Sequence, residues 1–308
     1  MENTERNCCI CGNNATLFQI QEKWICDQCL SIGNENLKYL WTNSIEKLLN
    51  DYTDSCLGCL SSDDPENIYK ARILGKKIQS VFLFLGLPKD HTLLLPIRKV
   101  HLDLKIIKKS DVLLDEIAKQ NEENKVNAEM VKLLTKKQKE ANERLMNRIP
   151  KLINDSYITQ LKTFVNEELD YYNLSILQDK QLNKYEERFT ELLKEYGQSV
   201  DDKGKSSLQT IKILHKIRKR AITLSNIYSY LNDIFSNRYV EKEKYYKNIQ
   251  HQLAKVHITK DWMDQLKTYE NKIHAPKKEK KAVKNQLKET IKILVETVEL
   301  LPGSVKED

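Results

Sequence analysis

The chain is poor in the residues that break regular structure, with eight Gly and six Pro in 308 residues. Sandwiches and barrels need frequent tight turns, so this scarcity argues against both and favours long helices. No run of about 18 apolar residues occurs, and no transmembrane helix is predicted. The opening Met1-Glu2-Asn3-Thr4-Glu5 is polar and acidic, unlike a secretory leader. There is no G-x4-G-K-[ST] loop, no H-E-x-x-H helix, no nucleophile elbow and no dinucleotide loop. The six His are scattered without motif spacing, so a non-enzymatic role is expected.

Cysteine is absent beyond residue 59, although the chain has seven. A secreted disulfide scaffold would be short and carry cysteines throughout. Cysteines confined to one end of a Lys-rich chain read instead as metal ligands in a reducing compartment, cytoplasm or nucleus. Cys8 and Cys11 with Cys26 and Cys29 form the pattern C-x2-C-x14-C-x2-C. Tetrahedral Zn²⁺ takes four thiolates, and two such knuckles each deliver two, so Zn²⁺ is the expected cofactor. Gly12 directly after the second sulfur suits a turn with positive φ. Short β signals at Leu17–Ile20 and Lys23–Ile25 predict a hairpin around Gln21-Glu22, and apolar spacing predicts a helix over 34–50. Cys56 and Cys59 are a third pair. Together with Cys9 they complete a second site, or they share an ion between two chains, or they are a metal-free pair.

The order of knuckle, hairpin, second cysteine pair and helix resembles small treble-clef modules with four cysteine ligands, such as the ClpX-type zinc-binding domain. The likeness covers residues 8–30 and implies zinc and a protein-docking platform. In layout, a zinc module ahead of a helical body is also similar to general transcription factor IIB. Paired C-x2-C motifs ahead of coiled coil are similar to the autophagy-specific subunit of class III phosphatidylinositol 3-kinase complexes.

Charge divides the chain. Residues 1–60 hold four Lys/Arg against eight Asp/Glu, whereas 61–150 hold 18 against 13 and 151–308 hold 29 against 23. Phosphate binding needs positive charge, so the acidic first block is expected to meet a protein. Past it, 61–108 reads as a small mixed α/β segment. Glu66–Ile78 is helical there, and Val100, Leu102, Leu104 and Ile106 alternate with polar residues as a strand over 99–107 would. From Ser110 the pattern is helical. A helix is predicted to run toward Asn147 and break at Pro150. Leu182, Tyr185, Phe189, Leu192 and Tyr196 form one heptad-like seam, and Ile217, Leu224, Ile227, Leu231 and Ile234 form another. Gly197–Gly204 reads as a linker, followed by a long helix over 206–255, a helix to His274, and a last one over 278–301.

The expected protein is thus mainly α. It has a treble-clef-like zinc module at 1–60, the mixed segment at 61–108, and coiled-coil-like helical domains at 109–200 and 201–308. Two basic clusters, Lys216/Arg218/Lys219/Arg220 and Lys277/Lys278/Lys280/Lys281, are candidate phosphate-binding surfaces, or solvated faces of a Lys-rich helix. Two functions fit: a zinc-stabilised adaptor that assembles proteins and dimerises through its seams, or a DNA- or RNA-associated factor that binds phosphates through the basic helices.

Overall fold

A computed structural model describes residues 17–20, 23–61, 64–120, 124–168, 174–235 and 237–300. The predicted hairpin is present. Strands Leu17–Ile20 (β1) and Lys23–Cys26 (β2) pair antiparallel, with Leu17 opposite Cys26. The chain then enters a 35-residue helix, Asp27–Ser61 (α1). Trp41, Ile45, Leu48, Tyr52, Cys56 and Cys59 are buried along it at steps of three and four, which is one helix face.

Helix Pro65–Phe84 (α2) starts where its sequence favours a start. Asp64 accepts from the Glu66 amide at 2.9 Å, and Pro65 occupies the first turn, where a missing N–H costs nothing. It stops at Gly86, whose φ of +96° is open to glycine, while the Leu87 amide bonds back to the Phe82 carbonyl at 3.0 Å. Gly75 lets α2 sit close on α1, because a Cβ there would lie 3.0 Å from the Tyr52 ring.

Residues 61–108 contain no strand among the described residues, which corrects the mixed α/β expectation. The stretch 99–107 lies inside helix Leu94–Ala118 (α3). Its buried positions are Ile97, Val100, Asp103, Leu104, Ile107 and Ser110, a helical period, while Leu102 is 57% exposed. The apolar alternation around Val100 satisfied both periods over so short a window, and long-range packing decided for the helix. Helix Lys125–Leu152 (α4) follows, capped by Asn124, which accepts from the Asn127 amide at 2.8 Å, and Pro150 sits in its last turn. The long helix expected from Ser110 is therefore two helices, α3 and α4, packed against each other. Asp103, buried on α3, accepts from Arg144 Nε at 3.2 Å and Arg148 Nη1 at 2.5 Å across that contact. Helix Asp155–Thr163 (α5) and a π-helical turn at Phe164–Glu168 complete this half.

The second half is also helical. Helix Leu174–Lys203 (α6) runs through Gly197, so the expected linker is continuous helix ending at Gly204, φ +79°. Ser207 caps helix Leu208–Ile234 (α7), accepting from the Thr210 amide at 3.1 Å. The helix predicted over 206–255 is broken after Ile234. Asn237 adopts φ +67°, and Asn232 accepts from the Tyr239 amide at 2.7 Å, turning the chain into helix Val240–Gln252 (α8). Helices Ala254–Thr268 (α9) and Lys277–Glu296 (α10) follow.

Both heptad-like seams are used inside the chain. Ile217, Leu224, Ile227, Leu231 and Ile234 are buried in the core, and Phe189 on α6 meets Tyr246 edge-on at 5.1 Å. The two halves join along α2 and α7, where Lys77 bridges to Asp233 at 3.1 Å and Asn226 donates to the Ser80 hydroxyl at 3.3 Å. The Tyr230 hydroxyl donates to the Trp41 carbonyl at 3.3 Å beside them. The halves also meet through α3 and α9, where Lys255 pairs with Glu116 at 2.6 Å. No helix among the described residues is long and apolar enough to cross a membrane.

Candidate functional site

Where α2 and α3 of the first half meet α7 and α9 of the second, basic side chains converge. Arg72 and Lys76 lie one turn apart on α2. His101, Lys105, Lys108 and Lys109 follow each other down one side of α3, and His215, Arg218 and Lys219 do the same on α7. Steps of three and four put each set on a single face. Helix α9 adds His257 and Asp261.

The mutual electrostatics tie these groups together. Burial depresses the Lys76 ammonium pKa, and the charges of Lys219 and Lys105 depress it further. Burial, then Lys76, Arg72 and Lys105, bring His101 down to about 4. Burial lowers His215, with Lys219, Arg218 and Lys105 adding to the effect and Asp261 opposing it. Burial also takes His257 to about 4. Asp261 opposes that shift, while Arg218, His215 and Lys109 reinforce it. Arg218 and Arg72 are lowered by burial as well, and Arg72 is among the charges acting on Arg218. Three helices therefore bring seven permanent cations to one place, and α9 adds a histidine and a carboxylate. Two like unit charges about 6 Å apart repel by roughly 1–3 kcal/mol as the effective dielectric falls from that of water to about 20. Folding holds these charges together against that repulsion.

The groups that would offset it are few. Asp261 acts on His215, Arg218 and His257, accepting Lys109 at 2.9 Å with His257 Nε2 at 3.5 Å, and Asp111 interacts with Lys108 at the rim. The His215 and His257 rings lie 4.8 Å apart between centroids. At the rim, the Tyr69 ring carries Arg72 at 5.8 Å and Lys108 at 5.6 Å. Three nitrogens of the cluster, Arg72 Nε, His101 Nδ1 and Arg218 Nε, are out of solvent and have no hydrogen-bond partner. Buried polar atoms without partners are rare in folded proteins and cluster where a ligand completes them.

The predicted basic residues divide. Arg218 and Lys219 belong to this cluster. Lys216 and Arg220, on the same helix, face α6: Lys216 lies 3.9 Å from Glu195, and Arg220 sits over the Tyr185 ring at 5.0 Å. Lys277, Lys278 and Lys281 are exposed on the first turns of α10, and Lys280 donates to the Glu270 carbonyl at 2.8 Å. Arg72, Lys76, His101, Lys105, Lys108, Lys109, His215 and His257 were not singled out in the sequence. Their signal is basic residues at i, i+3 and i+4 on three separate helices, and it becomes a site only when the helices are packed.

The cysteine expectations fare differently. Cys8, Cys9 and Cys11 lie outside the described residues. Cys26 is buried at the end of β2, and Cys29 is in the first turn of α1. Cys56 and Cys59 are 0% and 2% exposed in the core. Burial pushes their thiols up to about 12 and about 11, and Cys59 donates to the Ser55 carbonyl at 3.2 Å. An ion shared between two chains needs sulfurs at the surface, and these two are in the interior.

No protein-family model matches the sequence, and no curated protein matches it either. One solved structure, the CHAD domain from the plant Ricinus communis, superposes over 85% of this chain and 92% of its own, with a TM-score of 0.61 at 13% identity. The fold is CHAD-like. This corrects the treble-clef resemblance. The CHAD-like superposition covers 85% of the chain, α1 runs unbroken from Asp27 to Ser61, and no group of three or more potential metal ligands occurs among the described residues. The zinc and zinc-finger description is withdrawn with it.

Proposed function

We propose that the chain binds a phosphate-rich polyanion at the basic cluster where α2, α3, α7 and α9 meet. One observation carries this reading: seven cations are brought together, three of them (Arg72, Lys76 and Arg218) partly desolvated, with Arg72 Nε, His101 Nδ1 and Arg218 Nε lacking partners and Asp261 the carboxylate paired among them. A row of phosphates supplies both the missing charge and the missing acceptors, through charge-assisted hydrogen bonds that arginine makes especially well. The cluster favours phosphates over bases. Its rim aromatic, Tyr69, already carries Arg72 and Lys108, and Asp261 is engaged by Lys109. The adaptor reading drew on the helical seams, which are buried within the chain, so the phosphate reading has the stronger support.

The test is binding at low salt to long-chain inorganic polyphosphate, duplex DNA and single-stranded RNA, each followed through a salt titration. Affinity should fall steeply as salt rises, and the order of the three ligands identifies the source of the phosphates. The double variant Lys105→Glu/Lys219→Glu, at exposed positions, should weaken binding by about tenfold or more and flatten the salt slope, while Lys278→Glu on α10 leaves both in place. Absence of binding to all three ligands at low salt would overturn the proposal.

A further inference from the structure

Three of the six histidines of the chain stand in the basic cluster, one on each of α3, α7 and α9. A phosphate site has no need of histidine, since lysine and arginine supply its charge at every pH. His101 stands among Arg72 and Lys76 of α2 and Lys105 of its own helix, its Nδ1 out of solvent and without a partner. His215 faces Lys105 of α3, Arg218 and Lys219 of α7 and Asp261 of α9. Its ring lies 4.8 Å from that of His257, which in turn faces Lys109 of α3, Arg218 of α7 and Asp261 at 3.5 Å. Each ring is thus surrounded by cations, and His215 and His257 share one carboxylate, Asp261.

From this placement we infer that the cluster takes up protons when it takes up a polyanion: His101, His215 and His257 become imidazolium as phosphates bind, and the anion is held more tightly as the pH falls. The inference rests on the phosphate-binding reading above and adds its regulation. In the unliganded cluster the loss of water and the surrounding cations keep the rings neutral, with His101 and His257 titrating near 4. A bound row of phosphates reverses the local field, offers each ring an acceptor, and moves its titration up toward or past the ordinary value of about 6.5. Between those two limits the bound protein holds more protons than the free one, so affinity must climb with acidity across that window. Below about 4 the rings are charged in both states and the gain ends. Asp261 opposes the change in the empty site, because it already stabilises some positive charge on His257.

Calorimetric titration of the full chain with long-chain inorganic polyphosphate, in two buffers of different ionisation enthalpy, measures the protons taken up. Dextran sulfate, whose sulfates do not titrate in this range, serves as a second probe that excludes uptake by the ligand. The expected result is net uptake of about one proton or more at pH 6 with both probes, and an affinity that rises about tenfold or more from pH 7.5 to pH 5.5. The variant His101→Gln/His215→Gln/His257→Gln should lose most of the uptake and of the rise, while His274→Gln, exposed outside the cluster, keeps both. Binding with heats independent of buffer and an affinity flat across this range would overturn the inference and leave the phosphate site standing. Undiminished uptake in the triple variant would also overturn it. Failure of both probes to bind at any pH would remove the phosphate site and the inference together.

Discussion

His101 and His257 set a pH dependence that holds without any ligand. Their folded titration near 4 lies below the ordinary imidazole range, so the unfolded chain binds protons first. The stabilisation is complete above about pH 6.5 and is lost as the pH falls through about 4. Thermal melts should drop in midpoint between pH 7 and pH 4.5, with the two groups together contributing on the order of a few kcal/mol. Saturating polyphosphate should remove part of that drop. Asp261 is the second residue with a defined effect. Asp261→Asn frees Lys109 and removes the carboxylate that competes with phosphate. It should tighten polyanion binding several-fold and lower the stability of the empty protein by about 1 kcal/mol, read by the same titration and by denaturant unfolding. Arg218 and Lys219 were legible in the sequence because they are adjacent. Arg72, Lys76, His101 and Lys105 were not, since each is an ordinary helical surface residue until its neighbours arrive from other helices. The densest basic run, Lys277–Lys281, has no part in the cluster, because charge density along a chain is not charge density in space.

At the scale of the helix, burial periodicity separated what sequence spacing read well from what it read poorly. Helix α7 was readable because Ile217, Leu224, Ile227, Leu231 and Ile234 hold their pattern over many turns, and the β1/β2 hairpin because its strands flank a short polar turn. Helix α3 was misread because the apolar residues between Val100 and Ile106 also alternate, and because the polar residue that settles the matter, Asp103, faces inward. Its carboxylate is buried against two guanidiniums from α4. Asp103→Asn should destabilise the fold by roughly 2–4 kcal/mol, toward the lower end for breaking a buried ion pair, since Arg144 and Arg148 both reach solvent. Unfolding in urea checks this, and Glu129→Gln, at an exposed pair on the same helix as the two arginines, should change stability by less than about 0.5 kcal/mol. The break after α7 was not legible because no Pro or Gly marks it. Asn237 turns the chain, held by the Asn232 side chain.

For the whole molecule, the crowding of like charge should outweigh the surface pairs in the response to salt. Ordinary exposed salt bridges contribute little, and salt weakens them further. The cluster should respond in the opposite sense. Raising monovalent salt from about 0.05 to about 0.5 M screens its repulsion and should raise the melting temperature by a few degrees, with sulfate more effective than chloride at equal ionic strength. In Lys105→Glu/Lys219→Glu the salt effect should shrink, because the repulsion it screens has been removed.

The cluster is not carried by either half of the chain. Arg72, Lys76, His101 and Lys105 stand on one side of the α2/α7 junction, and His215, Arg218, Lys219 and His257 on the other. An anion long enough to touch both therefore works as a clasp. It should slow amide exchange along the contact between α2 and α7 more than in the outlying α4 and α10, and the protein would feel the presence of its ligand as resistance to coming apart in the middle.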